Sequence, residues 1–222
     1  MLREIFRAFR QRDVVQDLSG HVGQMLDAAR WMFEQASSVL MRKADWQEVC
    51  DLLYTKDREI NTIEQQIRER IVTHLSVGNQ ADLPVCLVLM NVVKDAERIG
   101  DYGKNIFEVA KSYAGTFEHA AFREPLEEIR QSISDLFEPT HECFLNSDSD
   151  IAQEVLAKAG QLNARCDQIV QQLLSAGEGF PAREAVAYAL LARHYKRVEA
   201  HLSNIATAVV SPIPMLDFRE RT

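Results

Sequence analysis

The 222-residue chain carries a formal net charge of −8, which argues against nucleic acid as its main partner because a nucleic-acid binder needs a basic surface. Its content of 46% hydrophobic and 26% charged residues is typical of a globular protein and argues against disorder. With nine Gly and six Pro, the composition favours long helices over a β-sandwich or a β-barrel.

Cysteine spacing and apolar runs predict a cytoplasmic protein. The four cysteines are widely spaced without a CxxC pair, so we expect reduced thiols rather than a disulfide or zinc framework. No apolar run reaches the ~20 residues that span a bilayer. The start of the chain, MLREIFRAFRQRD, is basic and amphipathic. We expect it to pack on the rest of the protein, with contact to a membrane surface or a membrane partner as the alternative.

Three long helices are predicted in the first half of the chain. Apolar residues recur every three or four positions from Val15 to Val39, the pattern of a helix that faces a bundle. A second helix follows Asp45, which resembles the first residue of a capping box, and a third follows Asp82, which is placed to cap it. Between these two helices, the segment SVGNQADLP supplies Gly78 as a helix terminator.

The second half of the chain repeats this layout, with helices predicted over about 124–143, 151–174 and 183–210. The stretch ERIGDYGKNI, from Glu97, aligns without gaps to KRVEAHLSNI, from Lys196. An internal repeat of this kind indicates duplication. We therefore predict an all-α fold of two tandem three-helix bundles, with residues 1–116 in the first repeat and 117–222 in the second.

Carboxylates cluster on the second and third predicted helices. Glu97 and Asp101 lie four residues apart, so they share one helix face, which points nearly opposite to the apolar stripe at ~100° per residue. We therefore expect both on the outside of the bundle. Asp57, Asn61 and Glu64 flank the stripe of the second helix and would join them if the two helices are antiparallel neighbours. Two interpretations stay open: ordinary solvated charges, or a surface site for a hard cation such as iron, manganese, magnesium or calcium.

The sequence offers no convincing catalytic centre. A ferritin-like di-iron oxidase needs two inward-facing ExxH motifs. The only ExxH pair is Glu138 with His141, and Pro139 between them would disrupt the helix. Nucleophile-elbow, P-loop and Rossmann glycine patterns are absent from the sequence. We therefore predict that the protein is not an enzyme.

The stretch DAERIGDYGKNI resembles the ERIGD signature of the PhoU family, regulators of phosphate uptake in bacteria and archaea. KDREINTIEQQI resembles the second-helix motif of that family, and the tandem three-helix layout matches over nearly the whole chain. The resemblance implies metal clusters held by acidic motifs on the helix surfaces. The matching positions are those of Asp57, Asn61, Glu97, Asp101 and, just ahead of the signature, Asp95. Iron is the metal implied first, with magnesium, manganese, calcium and zinc as alternatives.

The second repeat departs from the family pattern. The positions that match the family's acidic residues hold Lys196, Ala200, Ala159 and Asn163. An ammonium and a methyl group cannot ligate a cation, so we predict no family-type cluster on the second bundle. Glu199 and His201, beside the lost positions, are expected to be surface residues.

The resemblance also implies a function. It predicts a cytoplasmic regulator of inorganic phosphate transport that restrains a phosphate transporter and signals to its sensor histidine kinase. Two alternatives are an accessory protein of a sodium–phosphate or Pit-type transporter and a metal-binding storage or buffering protein. The predicted partners are the transporter components and the kinase, through which the protein would be peripheral to the membrane. A homodimer is a further alternative, and nucleic acid is excluded.

Overall fold

The computed structural model describes residues 13–78, 80–113, 115–175 and 180–216, and within these ranges the regular structure is helical. The six long helices are α1 (Asp13–Leu40), α2 (Trp46–Ser76), α3 (Leu83–Ser112), α4 (Ala120–Asn146), α5 (Ser149–Leu174) and α6 (Ala182–Val210). Single 3₁₀ turns occupy Gln80–Asp82 and Ile213–Met215. The predicted all-α fold is confirmed, and each predicted helix is present.

Two sequence predictions concern membranes. None of the described helices combines the length and the apolar character that crossing a membrane requires. The basic, amphipathic start of the chain falls on residues 1–12, outside the described residues, so its packing stays a prediction.

Side chains and a glycine define the helix ends. Asp45 caps α2, its side chain accepting a hydrogen bond from the backbone N–H of Gln47 at 2.9 Å. Gly78 has a φ of +99°, the left-handed conformation that suits a residue after a helix. Asp82 precedes α3 but makes no side-chain cap, so that part of the prediction was wrong. Its Oδ2 lies 2.7 Å from Nε2 of His74 instead, which ties the end of α2 to the start of α3.

The helices form two three-helix bundles that pack against each other. In the first repeat α3 packs on both α1 and α2, and in the second repeat α6 packs on both α4 and α5. The repeats meet along α3 and α6, and α1 also contacts α4. The ring centroid of Phe33 on α1 lies 5.6 Å from that of Phe137 and 5.9 Å from that of Tyr195. One apolar core therefore runs through both repeats, with α3 and α6 as its central helices.

Two glycines let α3 lie close to its neighbours in the first repeat. A Cβ atom on Gly103 would lie 3.2 Å from Cβ of Met32 and 3.4 Å from the backbone nitrogen of Phe33 on α1. A Cβ atom on Gly100 would lie 2.8 Å from Cδ1 of Ile60 on α2. The three-residue spacing of these glycines predicts close helix packing, and the structure confirms it.

One expectation about α4 was wrong. The sequence predicts that Pro139 disrupts its helix, but α4 continues through both Pro125 and Pro139 to Asn146. A proline removes one backbone donor and crowds the preceding turn. The turn before Pro139 is nevertheless held in the core by Leu136 and Phe137, both buried, so packing outweighs the local cost.

Candidate functional site between the second and third helices

The predicted acidic residues of α2 and α3 meet where these helices pack; we call Asp57, Asn61, Glu64, Glu97 and Asp101 the acidic seam. Its acidic side chains are mostly buried: 16% of Asp57, 13% of Glu64, 16% of Glu97 and 27% of Asp101 is exposed. The expectation that Glu97 and Asp101 face outward was wrong. Because α2 packs against α3, both side chains lie partly covered at the contact between these two helices.

Glu97 is a strongly perturbed acid of the seam. Burial, followed by repulsion from Asp101, raises the pKa of Glu97 to about 7. Arg98 acts in the opposite direction, and Glu64 adds to the rise. Glu97 also shares a hydrogen bond with Asp101. A carboxyl with this pKa is protonated in part of the molecules at neutral pH, and in that form it donates to Asp101 rather than repelling it.

A lysine crosses the acidic seam. Nζ of Lys104 on α3 lies 2.8 Å from Oδ1 of Asp57 on α2 and 3.1 Å from Oδ1 of Asp101. Burial by itself would lower the pKa of Lys104, but hydrogen bonds with Asp57 and Asp101 outweigh it, and the pKa is raised. The ammonium therefore stays charged and links α2 to α3. Sequence reasoning missed this residue, although its position three residues after Asp101 signals that contact.

Two arginines accompany the remaining acids. Nη1 of Arg98 lies 3.1 Å from Oδ2 of Asp101, and its Nε lies 3.5 Å from Oε2 of Glu97. Nη2 of Arg68 lies 2.7 Å from Oε1 of Glu64. In the parts of the chain that the structure describes, no three His, Cys, Asp or Glu side chains are grouped so as to hold a metal ion. The seam brings the predicted acids into one region, but as partners of basic side chains, and the iron prediction stays a prediction.

Asp95 lies apart from the acidic seam. It is fully buried where α3 meets α6, with Oδ1 2.7 Å from Nδ1 of His201. The same Oδ1 accepts a hydrogen bond from Nδ2 of Asn204 at 3.1 Å, whereas Oδ2 has no hydrogen-bond partner among the described residues. Two residues before Glu97, Asp95 is turned by about 200° around the helix. In this geometry Asp95 joins the two repeats and does not face the other predicted ligands.

Glu199 is buried and the side chain of His201 is 15% exposed, so the expectation that both are surface residues was wrong. The ring of His201 stacks on that of Tyr102 on α3, with centroids 5.7 Å apart. Glu199 is fully buried and accepts a hydrogen bond from Nδ2 of Asn163 on α5 at 3.4 Å. Both are covered because α6 is surrounded by α3, α4 and α5.

The contact between α3 and α6 is nearly symmetric. When ERIGDYGKNI is aligned with KRVEAHLSNI, Asp95 corresponds to His194 and Tyr102 to His201. Asp95 lies opposite His201, and His194 lies opposite Tyr102 with ring centroids 5.9 Å apart. Equivalent positions therefore face each other on both sides of the contact, filled by different residues. Burial lowers the pKa of His194 and so favours its neutral form.

The second repeat also has a lysine where its second and third helices meet, between α5 and α6. Nζ of Lys196 lies 2.5 Å from Oδ2 of Asp167, and Nη1 of Arg193 lies 3.8 Å from Oδ1 of the same residue. Lys196 aligns with Glu97, and Asp167 aligns with Gln65. This link is therefore not a residue-for-residue copy of the one in the first repeat.

Comparisons with known proteins agree with this architecture. The family model described as "PhoU: PhoU domain" matches the chain twice, over residues 15–110 and 126–209. Among solved structures, the crystal structure of the phosphate transport system regulatory protein PhoU from Streptococcus pneumoniae is similar, with a TM-score of 0.71 and 18% sequence identity. The alignment covers 88% of this chain and 93% of that chain, and at this identity it shows the fold. No curated protein matches the chain significantly.

The two family matches correspond to the two bundles, α1–α3 and α4–α6. Together they cover well over half of the chain, and the first includes the ERIGD-like stretch that begins at Glu97. The chain belongs to the PhoU family.

Proposed function

We propose that this protein is a regulator of inorganic phosphate transport that restrains a phosphate transporter and signals to its sensor histidine kinase. The observation that carries the proposal is the PhoU family match, which spans both repeats rather than one. A protein of the same fold, from Streptococcus pneumoniae, is a phosphate transport system regulatory protein.

The proposed role is that of an adaptor and requires no catalytic centre. In the acidic seam, carboxylates contact lysine and arginine side chains, an arrangement that fixes helices relative to each other and activates no nucleophile. The apolar core that runs through both repeats holds two similar helical surfaces at a fixed separation. Such a scaffold suits a protein that contacts two partners.

An accessory protein of a sodium–phosphate or Pit-type transporter is the alternative. It would use the same scaffold with a different membrane partner, so the identity of that partner decides between the two. Metal storage has less support, because the acids of the seam already contact basic side chains.

The test is retrieval of partners by the tagged full-length protein from solubilised membranes of its source organism, with identification by mass spectrometry. We expect subunits of a phosphate ABC transporter and the sensor kinase, whereas a sodium–phosphate or Pit-type carrier would support the alternative. A deletion strain is expected to express phosphate-starvation genes even when phosphate is plentiful. Retrieval of neither class, together with an unchanged response in the deletion strain, would contradict the proposal.

Two apolar pairs offer matched variants for the retrieval experiment. Leu83 and Leu87 on α3 are 45% and 49% exposed, and Val186 and Leu190 on α6 are 58% and 42% exposed. Glutamate substitutions at one pair at a time test which repeat faces the transporter. Leu174→Glu, at a residue that is 83% exposed at the end of α5, is the control and is expected to leave retrieval unchanged.

A further inference from the structure

The ammonium of Lys104 lies among the carboxylates of the acidic seam. Lys104 donates to Asp57 on the neighbouring helix at 2.8 Å and to Asp101 on its own helix at 3.1 Å. The shorter distance is typical of a charge-assisted hydrogen bond. The ammonium therefore engages two of the carboxylates that the family resemblance assigns to a metal ion.

A metal ion in this place would need the oxygens that Lys104 holds. Magnesium, for example, binds oxygen ligands at about 2.0–2.1 Å, and multidentate sites need several oxygens to converge on one point. A dication within reach of Asp57 and Asp101 would also lie close to the ammonium, and like charges repel strongly in a partly buried site. The metal ion and the Lys104 ammonium therefore exclude each other.

Arginine side chains contact the other acids of the seam, and one of them also contacts Asp101. Arg98 contacts both Asp101 and Glu97, and Arg68 contacts Glu64. Arg68 and Arg98 each pair with acids of their own helix, whereas Lys104 contacts acids of both α2 and α3. Lys104 is thus placed to replace the cross-link that a shared metal ion would make between the two helices.

The second repeat supports this interpretation independently. Lys196 on its third helix contacts Asp167 on its second helix at 2.5 Å. The residues aligned with this pair in the first repeat are Glu97 and Gln65, so the two links arose at different positions. Both repeats therefore place a lysine on the third helix against an aspartate on the second.

We propose that Lys104 is a built-in cation that takes the place of a metal ion in the first repeat, and that the protein works without a bound metal. Each repeat then joins its second and third helices by a lysine–aspartate pair. This inference differs from the sequence-based prediction of iron. It does not depend on the proposed role in phosphate transport, because metal content is measured without any partner.

Lys104→Met tests the proposal, since methionine keeps much of the side-chain length and removes the charge. Wild type and variant are stripped with a chelator, and Mn²⁺ binding is measured by isothermal titration calorimetry. Metal content is also measured by mass spectrometry after purification from cells grown with added iron and manganese. We expect no stoichiometric metal on the wild type and binding of Mn²⁺ to the variant at least about tenfold more tightly. Adding Asp101→Asn to the variant is expected to abolish the gain.

Two further variants serve as controls. Lys196→Met removes the lysine of the second repeat but leaves Asp167 as the acid of that link, so we expect no gain in metal binding. Lys104→Arg keeps the positive charge and is expected to behave as the wild type. Circular dichroism checks that each variant is folded.

Two results would overturn the proposal. One is stoichiometric metal bound to the wild type at micromolar affinity or tighter, a measurement that needs no variant and therefore decides even if Lys104→Met does not fold. The other is a folded Lys104→Met variant that binds Mn²⁺ no more tightly than the wild type, because the ammonium would then not be what excludes the cation.

Discussion

The two repeats join their second and third helices with the same two residue types in different surroundings. In the first repeat Lys104 contacts both Asp57 and Asp101, whose side chains are 16% and 27% exposed. In the second repeat Lys196 contacts Asp167, whose side chain is 44% exposed. The difference teaches that the fold determines which helices must be joined, whereas the residues that join them can change after a duplication.

The largest expected effect concerns the approach of α3 to α1 through a glycine in the first repeat. Gly103 aligns with Leu202, a buried core residue of α6. Gly103→Leu would place a side chain against Met32 and the backbone of Phe33, so we expect the free energy of unfolding, measured with urea, to fall by about 3 kcal/mol. Gly20→Ala is the control: its Cβ meets nothing within 4 Å, and we expect a gain of up to about 1 kcal/mol. Equal losses of stability in the two variants would contradict the close packing of α3 on α1 at Gly103.

The second-largest effect concerns the loss of stability when an aspartate is removed. Asp95, between the repeats, is compared with Asp167, within the second repeat. Asp95→Ala would leave His201 and Asn204 without their buried acceptor, so we expect a loss of about 2 kcal/mol in the free energy of unfolding. Asp167→Ala removes a more exposed ion pair and is expected to cost less than about 1 kcal/mol. Urea denaturation measures both, and similar losses would show that Asp95 contributes no more than a surface acid.

A smaller effect compares the two lysines directly. Lys104→Met would leave Asp57 and Asp101 without their shared ammonium, and we expect it to cost about 1–2 kcal/mol in the free energy of unfolding. Lys196→Met is expected to cost less than about 1 kcal/mol, because its aspartate is more exposed. Salt screens exposed pairs more than buried ones, so repeating the urea titrations in high salt should reduce the Lys196 effect more. A larger loss of stability in Lys196→Met than in Lys104→Met would contradict this prediction.

The smallest effect is a pH dependence of the free energy of unfolding, which arises from His194 where α3 meets α6. His194 faces Tyr102, shares a cleft with Glu108 and Arg183, and has a pKa lowered by burial. The unfolded chain, in which a histidine has an ordinary pKa of about 6.5, therefore binds more protons than the folded protein as the pH falls through that value. The free energy of unfolding should therefore decrease as the pH falls through about 6.5. The decrease should be smaller in His194→Gln. Urea titrations at several pH values between 7.5 and 5 measure both slopes, and identical slopes would exclude this role for His194.

Local features of the sequence were sufficient to predict the helices. The cap of α2 at Asp45 and the turn at Gly78 depend on neighbours in the chain, and each apolar stripe depends on the helical repeat alone. The direction of Glu97 and the partner of Asp95 could not be predicted in this way, because they depend on which other helices surround α3. The contact of Lys104 with Asp57 was missed for the same reason, since it requires the position of α2, whereas the contact with Asp101 follows from their spacing on one helix.

The near-symmetric contact between α3 and α6 is expected to make each half of the chain specific for the other. Two copies of the first repeat, paired in the same manner, would set Asp95 against Tyr102 twice, and two copies of the second would set His194 against His201 twice. Neither self-pairing reproduces the contact of Asp95 with His201. The two repeats therefore resemble the two different subunits of a heterodimer, joined in one chain. If the repeats are expressed separately, each is expected to bind the other in preference to a copy of itself.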